Sequence, residues 1–479
     1  MMDELPIAVV GGGPVGLAAA AHLLERGLTP LVLERGASAG HAVRAWGHVW
    51  VFTPWAFIVD AAARRLLEAA GWQVPDAGAI PTGGAIVDDY LDPLAAHPAL
   101  APHIRTGAEV TAITRDGADK LATAGRAERP FRVRWRDAAG AEHTVRARAV
   151  IDASGTWSAP NPMGTDGLAV PGERAAADRI AYGIPDVRGG ARDAYAGARV
   201  LVVGSGHSAI NVVLDLLALQ EEAPRMRVLW AVRRDGIAKL LGGGLNDRLP
   251  ARGALGLAAT RAIAENRLEL LTGFAAERVE RDGAGLRVHA RVAGDAREVA
   301  VERIVVATGF RPDLAMLREL RVALDPVVEA PPALAPLIDP NLHSCGTVPP
   351  HGVVELTHPE PGFYIAGMKS YGRAPTFLMA TGYEQVRSIA AELAGDHAAA
   401  RAVHLVLPET GVCSTAALTG AEEEAGAGCC GGPAPQAVDA CCARDAEAKV
   451  AGPAGCGCGD TAPAPVKAPA MAGCCGGPA

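Results

Sequence analysis

A strand, a glycine turn and a helix near the start of the chain form a pattern that can bind a dinucleotide. Gly11, Gly13 and Gly16 follow the apolar run 7–10 at the spacing GxGxxG, and an Ala-rich stretch comes next. Gly11 permits a tight turn, Gly13 lets a pyrophosphate approach the backbone, and Gly16 lets helix and strand pack closely. The helix N-terminus would face the phosphate charge. Glu34 lies where a carboxylate accepts a hydrogen bond from a ribose 2′-hydroxyl and repels a 2′-phosphate.

A second unit of the same kind follows the β-branched run 199–203. Its turn contains Gly204, Gly206 and Ser208, with Ala209 in the third glycine position, an allowed variant. The strand after its helix ends in Arg233 and Arg234, and no acid occupies the ribose position. Guanidinium groups suit bidentate contacts with phosphate, so this turn is predicted to prefer NADP(H). The alternative is that the two arginines form an ordinary solvated strand end.

Two dinucleotide-binding turns in one chain imply one cofactor that stays bound and a second that binds and dissociates in each catalytic cycle. Because Glu34 opposes a 2′-phosphate, we expect the resident cofactor to be FAD. NADPH would then deliver hydride from the second unit.

The end of the chain carries a different kind of chemistry, based on thiols. Nine of the ten cysteines lie at or beyond Cys413, and the hexapeptide CCGGPA occurs twice. The candidate metal ligands are Cys429, Cys430, Cys441, Cys442, Cys456, Cys458, Cys474 and Cys475. Adjacent thiols are poor disulfide partners but suit a soft ion such as Hg(II), Cu(I) or trivalent arsenic or antimony. The alternative is a low-complexity tail without a ligand.

Composition bounds the classes of protein to which the chain can belong. It has 479 residues, a net charge of -8 and a pI near 5.9, so the basic surface of a nucleic-acid binder is not expected. The apolar run 7–24 is interrupted by glycines and lacks the basic flank of a signal peptide, which disfavours a membrane partner. We therefore expect a cytoplasmic protein whose cysteines are reduced.

The elements that must position these motifs can be read from the apolar pattern. Short β-branched runs alternate with glycine turns and helical segments, which predicts an α/β fold with parallel sheets. From residue 412 onward Ala, Gly and Pro dominate and no apolar periodicity remains. Such a segment buries too little surface to offset its ordering entropy, so 412–479 is predicted to be a flexible, disordered tail.

With these motifs, residues 5–395 resemble the two-dinucleotide-binding flavoprotein superfamily, which includes thioredoxin-reductase-like enzymes and flavin-containing monooxygenases. The segments 151–157, 306–313 and 362–367 are similar to three of its characteristic stretches. The resemblance implies two nested Rossmann-like domains, with FAD-binding parts at 1–165 and 301–411 around an NADPH-binding domain at 166–300. It also implies that Gly155, Gly309 and Gly367 approach a cofactor, and that the helix after Pro375 points its N-terminus at the isoalloxazine. Homodimers are common in that superfamily, but the resemblance does not decide the oligomeric state of this chain.

Departures from that superfamily indicate the chemistry. The body has no CxxC, and Cys345 is its only cysteine before Cys413, so a thiol relay at the flavin is disfavoured. The monooxygenase fingerprint FxGxxxH is not evident, whereas the segment order and the stretch GTWSxP at 155–160 favour monooxygenation. Aromatic and polar residues that could line the substrate side of the flavin are Trp46, His48, Trp50, Phe52, Trp55, Tyr371 and Arg373. Core packing explains such aromatic runs equally well, and no catalytic residue is assigned.

Three functions are consistent with the sequence. The first is an NADPH- and FAD-dependent monooxygenase that oxidises a thiophilic trivalent metalloid or organoarsenical, with the tail as a tethered second binding site. This follows from the tail's resemblance to those of bacterial arsenic-detoxification proteins. The second is a metal-ion or disulfide reductase with tail thiols as the relay. The third is a flavoprotein that sequesters soft metals.

Overall fold

The computed structural model describes residues 4–236, 250–340 and 348–405. The expected tail at 412–479 and its eight candidate metal ligands lie outside these residues. The strands are β1 (Ile7–Val10), β2 (Pro30–Leu33), β3 (Ile104–Arg105), β4 (Glu109–Arg115), β5 (Phe131–Arg136), β6 (Glu142–Ala147), β7 (Ala149–Asp152), β8 (Ile180–Tyr182), β9 (Arg199–Val203), β10 (Arg227–Ala231), β11 (Glu269–Leu271), β12 (Ala275–Asp282), β13 (Gly285–Val292), β14 (Asp295–Val301), β15 (Arg303–Val306) and β16 (Phe363–Ile365).

The α-helices are α1 (Pro14–Glu25), α2 (His41–Arg44), α3 (Ala61–Ala69), α4 (Gly83–Ile86), α5 (Asp92–Ala96), α6 (Arg192–Tyr195), α7 (His207–Glu222), α8 (Pro250–Ala264), α9 (Ala335–Ile338), α10 (Met379–Leu393) and α11 (His397–Arg401). A π-helical turn spans Val87–Leu91, and short 3-10 helices span Trp55–Phe57, Ala101–His103, Arg174–Arg179, Ala315–Leu317 and Gly367–Tyr371.

The first sheet is parallel and has the strand order β16-β7-β1-β2-β3. All four residues of β1 are buried, as expected for a central strand covered on both faces. Helix α1 returns the chain from β1 to β2; Pro14 starts it, and alanines 18–21 allow it to pack closely on the sheet. The predicted strand, turn and helix are therefore present at the start of the chain.

The second sheet repeats this plan with the order β11-β10-β9-β15-β8, also parallel. Each parallel sheet is accompanied by a three-stranded antiparallel sheet, β4-β5-β6 for the first and β12-β13-β14 for the second. The sequence interpretation did not anticipate these antiparallel sheets. The α/β fold with two Rossmann-like halves is confirmed.

The second domain extends further along the chain than expected. Strand β15 pairs with β9 and β8, so the second sheet includes residues 303–306 and does not end at residue 300. The chain enters and leaves this domain through two segments that run side by side. Asn161 N donates to Gly309 O at 2.9 Å, and Arg311 N donates to Ala159 O at 2.9 Å. These two connections form a two-stranded link between the domains.

Candidate active site

The first glycine turn has the geometry that its spacing predicts. Gly11 has φ +99°, and a Cβ there would lie 2.7 Å from the carbonyl oxygen of Ala153. A Cβ on Gly16 would overlap the carbonyl oxygen of Gly11, so only glycine allows the helix to approach this closely. A Cβ on Gly13 would have no atom within 4 Å, which leaves open space where a pyrophosphate would lie.

The carboxylate of Glu34 is held firmly beside this turn. Its Oε2 accepts a hydrogen bond from Gly12 N at 2.6 Å, and its Oε1 accepts one from Gly36 N at 2.6 Å. Each oxygen retains a further lone pair. The carboxylate can therefore accept a ribose hydroxyl while placing negative charge where a 2′-phosphate would have to lie.

The end of β16 and the start of α10 converge on the first turn. Gly367 N donates to Gln385 Oε1 at 2.7 Å, and Cβ positions on Gly367 and Gly382 would both meet the side chain of Val15. Thr376, just before α10, is 7% exposed, and its Oγ1 has no hydrogen-bond partner among the described residues. A buried hydroxyl without a partner at a helix N-terminus suits a polar ligand such as the flavin ring.

A buried ion pair beneath the turn was missed by the sequence interpretation. Lys369 Nζ lies 2.7 Å from Asp152 Oδ2, and both side chains are at most 1% exposed. Nζ also donates to Ser154 Oγ at 3.1 Å, while Asp152 Oδ1 accepts from the same hydroxyl at 2.6 Å. Asp152 ends β7 and Lys369 follows β16. The sequence shows that Asp152 follows an apolar run, but it does not show that Lys369 is its partner.

The second turn is built on the same plan as the first. Gly204 has φ +141°, and a Cβ there would overlap the carbonyl oxygen of Ala307. Trp230 is fully buried, and its Nε1 donates to Gly204 O at 2.8 Å, which anchors the turn. Gly206 has nothing within 4 Å of a Cβ position, so a pyrophosphate could approach there too, and Ser208 lies in the first turn of α7.

Charge distinguishes the two turns. Gly11 N donates to Leu33 O in the first unit, and Gly204 N donates to Ala231 O in the second. Val232 therefore takes the place of Glu34, and the next two residues are Arg233 and Arg234. Both arginines are exposed, so their guanidinium groups are accessible to a phosphate.

The other predicted cofactor glycines lie on the links between domains. Gly155 follows β7 and lies two residues after Ala153, which contacts the first turn. Gly309 has the equivalent position in the second domain: it follows β15 and lies two residues after Ala307, which contacts the second turn. Gly309 therefore lies beside the second turn. Beyond these glycines, the rings of Trp157 and Phe310 pack with centroids 4.9 Å apart.

The predicted substrate-side residues fall into two groups. Residues 40–52, which overlap the first group at 46–55, contact both turns. Gly40 N, just before α2, donates to Gly12 O at 2.9 Å, and the Phe52 ring packs edge-on against His207 of α7 at 5.2 Å. Trp55 is buried, whereas Trp50 is 62% exposed. Trp46 lies on Gly83.

Tyr371 and Arg373 belong to a different part of the first domain. Tyr371 is buried against Phe377 and His351, with ring centroids 5.2 and 5.6 Å apart. Arg373 forms an ion pair with Glu329 at 3.1 Å. Tyr371 thus packs in the core next to the start of α10, as the alternative interpretation expected.

Comparison with known proteins agrees with this geometry. Residues 8–336 match the pyridine nucleotide-disulphide oxidoreductase family. The chain belongs to that family. The pyridine nucleotide-disulphide oxidoreductases are enzymes, and membership confirms the expected flavoprotein with two dinucleotide-binding domains and with FAD and NADP(H) as cofactors.

Several solved structures share the fold. The bacillithiol disulfide reductase of Bacillus cereus has a TM-score of 0.60 at 18% identity, with 82% of this chain and 99% of that chain covered. The cadaverine monooxygenase of desferrioxamine biosynthesis from Erwinia amylovora has a TM-score of 0.57 at 13% identity, with 85% and 99% covered. The thioredoxin reductase of T. acidophilum has a TM-score of 0.52 at 16% identity, with 82% and 98% covered.

One curated relative matches over a short stretch. The thiamine thiazole synthase of Methanococcus vannielii is 41% identical over 68 residues, which is 14% of this chain and 24% of that protein. The chain thus spans about a quarter of the length of that relative.

The described residues contain neither a metal-ligand cluster nor a helix suited to a lipid bilayer. Within 4–236, 250–340 and 348–405, no three His, Cys, Asp or Glu side chains come together as metal ligands. In the same residues, every helix is too short or too polar to span a membrane.

Proposed function

We propose that the chain is an NADPH-dependent FAD monooxygenase that oxidises a thiophilic trivalent metalloid or organoarsenical. The observation that carries the proposal is the position of the thiols. Both nucleotide turns lie in residues 1–344, which contain no cysteine, and Cys345 and Cys413 each stand alone in the sequence. The sequence around the two turns therefore offers no CxxC pair to relay electrons, which favours transfer to oxygen and substrate.

The residues around each turn suit one cofactor. Gly11, Gly13, Gly16 and Glu34 would hold the pyrophosphate and ribose of FAD, with Gly155 and Gly367 close by. Gly204, Gly206, Ser208 and Gly309 would hold NADPH, and Arg233 and Arg234 would contact its 2′-phosphate. Bound together, these cofactors supply hydride transfer and a two-electron donor to oxygen. The protein would supply their orientation, because residues 40–52 contact both turns.

The proposed reaction balances as an oxygen insertion. The trivalent substrate, O₂, NADPH and one proton give the pentavalent oxide, NADP⁺ and water. The substrate loses an electron pair to the oxygen atom that it gains, and the electron pair of NADPH reduces the other oxygen atom. A pentavalent product binds thiols more weakly, because thiolates prefer soft acceptors. The paired cysteines of the tail would capture the trivalent substrate and raise its local concentration.

The test is steady-state consumption of NADPH and O₂ by the full-length protein with arsenite, methylarsenite or antimonite. We expect both rates to rise with one of these substrates, in a ratio of one to one, and the pentavalent product to form. The matched variant carries Cys474→Ser and Cys475→Ser. If these thiols only capture substrate, the variant should raise KM and leave kcat within about twofold.

Two outcomes would refute the proposal in favour of another function. NADPH consumption without O₂, abolished by the Cys474→Ser and Cys475→Ser changes, would show a metal-ion or disulfide reductase with tail thiols as the relay. Tight binding of the metalloid with unchanged NADPH oxidation would show sequestration.

A further inference from the structure

His48 has a ring nitrogen that is enclosed by the fold and has no hydrogen-bond partner among the described residues. The Nε2 atom is inaccessible to solvent, and it forms no hydrogen bond with any described residue. Buried polar atoms almost always have a partner, and an exception commonly marks a ligand, a bound water or a reacting group. Imidazole is also the side chain best suited to exchange protons near neutral pH.

The backbone on both sides of His48 is fixed to the first domain. Gly84 N donates to Gly47 O at 2.8 Å, and Gly83 N donates to Val49 O at 2.9 Å. The imidazole is therefore carried by a segment that is hydrogen-bonded at both neighbours. A catalytic group needs this kind of support, because small displacements of a reacting atom reduce the rate strongly.

Residues 40–52, which include His48, contact both nucleotide turns. Gly40 N donates to Gly12 O in the first turn, and the Phe52 ring packs against His207 at the second. The segment thus joins the two halves that would bring FAD and NADPH together. Of its two histidines, His41 is exposed, and His48 is the one whose ring nitrogen is enclosed.

The charge of His48 acts on an acidic residue of the second domain, Asp215. Burial raises the pKa of Asp215 on α7, and the positive charges of Arg188 and His48 act in the opposite direction. Asp186 lies near enough to add to the raised pKa. His48 is therefore within electrostatic range of an acid on the helix that begins at the second turn.

We propose that His48 is a catalytic residue that donates a proton from Nε2 to the oxygen atom that leaves as water. The step rests on the proposed function. The O–O bond breaks, one oxygen atom joins the substrate, and the other takes the electron pair that NADPH supplied and two protons. His48 gives one of these protons, and the proton that each turnover consumes restores the imidazole.

The test compares His48→Gln and His48→Asn with the full-length wild-type protein and with a control, His397→Gln, on the exposed helix α11. Each protein is first reduced by NADPH without oxygen and then mixed with aerated buffer, with and without methylarsenite. The FAD dissociation constant, the Tm and the rate of reduction by NADPH are measured in parallel. The absorbance of bound FAD reports reoxidation.

We expect both His48 variants to bind FAD and to be reduced by NADPH at rates within about twofold of wild type. Their reoxidation by oxygen should slow about a hundredfold or more, since a general acid typically contributes at least that factor. Wild type and the His397 variant should show a solvent deuterium isotope effect on reoxidation that the His48 variants lose. A structural role for His48 would instead change the Tm or FAD affinity and leave the isotope effect in place.

Reoxidation within twofold of wild type in the His48 variants would overturn the assignment. So would loss of FAD in His48→Gln together with an unchanged isotope effect in His48→Asn. Failure of the proposed function is a separate result: wild type would then form hydrogen peroxide and no pentavalent arsenical. The His48 assignment is still tested in that case, because reduction of oxygen to peroxide also takes up protons.

Discussion

The ion pair between Lys369 and Asp152 allows a quantitative prediction about the first domain. Replacing Lys369 with Met removes the ammonium group and keeps a side chain of similar length. Asp152 is fully buried and would remain as a charge without a counter-ion, although its Oδ1 would still accept from Ser154. Loss of one partner of a buried pair costs about 3–5 kcal/mol, a large part of the roughly 5–15 kcal/mol by which domains are stable.

A second substitution should reverse most of that loss. Asp152→Asn removes the charge but keeps an oxygen that can accept from the backbone N of Ser154. The double variant Lys369→Met with Asp152→Asn therefore has no buried charge in this pair. We expect it to be more stable than Lys369→Met alone, with a coupling energy of about 2–3 kcal/mol between the two sites.

The measurement is urea unfolding of the full-length protein at a fixed excess of FAD, since bound FAD contributes to stability by mass action. Release of FAD reports the first domain, which avoids treating a protein of several domains as two-state. Lys120→Met is the control, because Lys120 is exposed. Unfolding of Lys369→Met within about 1 kcal/mol of wild type, or simple additivity in the double variant, would refute the assigned coupling.

Three further predictions follow from the turns and from a second buried histidine. Gly16→Ala should prevent FAD binding, because its Cβ would overlap Gly11 O, whereas Gly13→Ala should fold and bind FAD more weakly; FAD content and circular dichroism of the purified proteins distinguish the two. Arg233→Ala with Arg234→Ala should raise the KM for NADPH about tenfold or more and leave that for NADH nearly unchanged, and equal effects on both would contradict a phosphate contact. Burial lowers the pKa of His358 to about 4 in the folded protein, whereas the unfolded chain binds this proton near pH 6.5. Between these two pH values only the unfolded state is protonated. The free energy of unfolding should therefore fall as the pH drops from about 6.5 to about 4, by up to roughly 3 kcal/mol. His358→Gln should flatten this pH dependence of the urea midpoint, and an unchanged curve would show that another group is responsible.

Features encoded by neighbouring residues were predictable. Each glycine turn, its strand and its helix occupy one continuous stretch, and local backbone sterics decide where Gly11, Gly16 and Gly204 are needed. The signs of the charges at Glu34 and at Arg233 were readable for the same reason, since they follow directly on a strand. The soft-metal site in the tail and the arsenical substrate remain predictions, because they rest on composition and lie outside the described residues.

Features that join distant parts of the chain were not predictable. Lys369 meets Asp152, and Phe52 meets His207, only because the two sheets and their links bring these segments together. The same applies to β15, which joins the second sheet although it follows residue 300, the predicted end of that domain. The periodicity of apolar residues shows which face of a helix or strand is buried, but it does not show which other element packs against that face. The choice of neighbour depends on the tertiary arrangement of the whole chain.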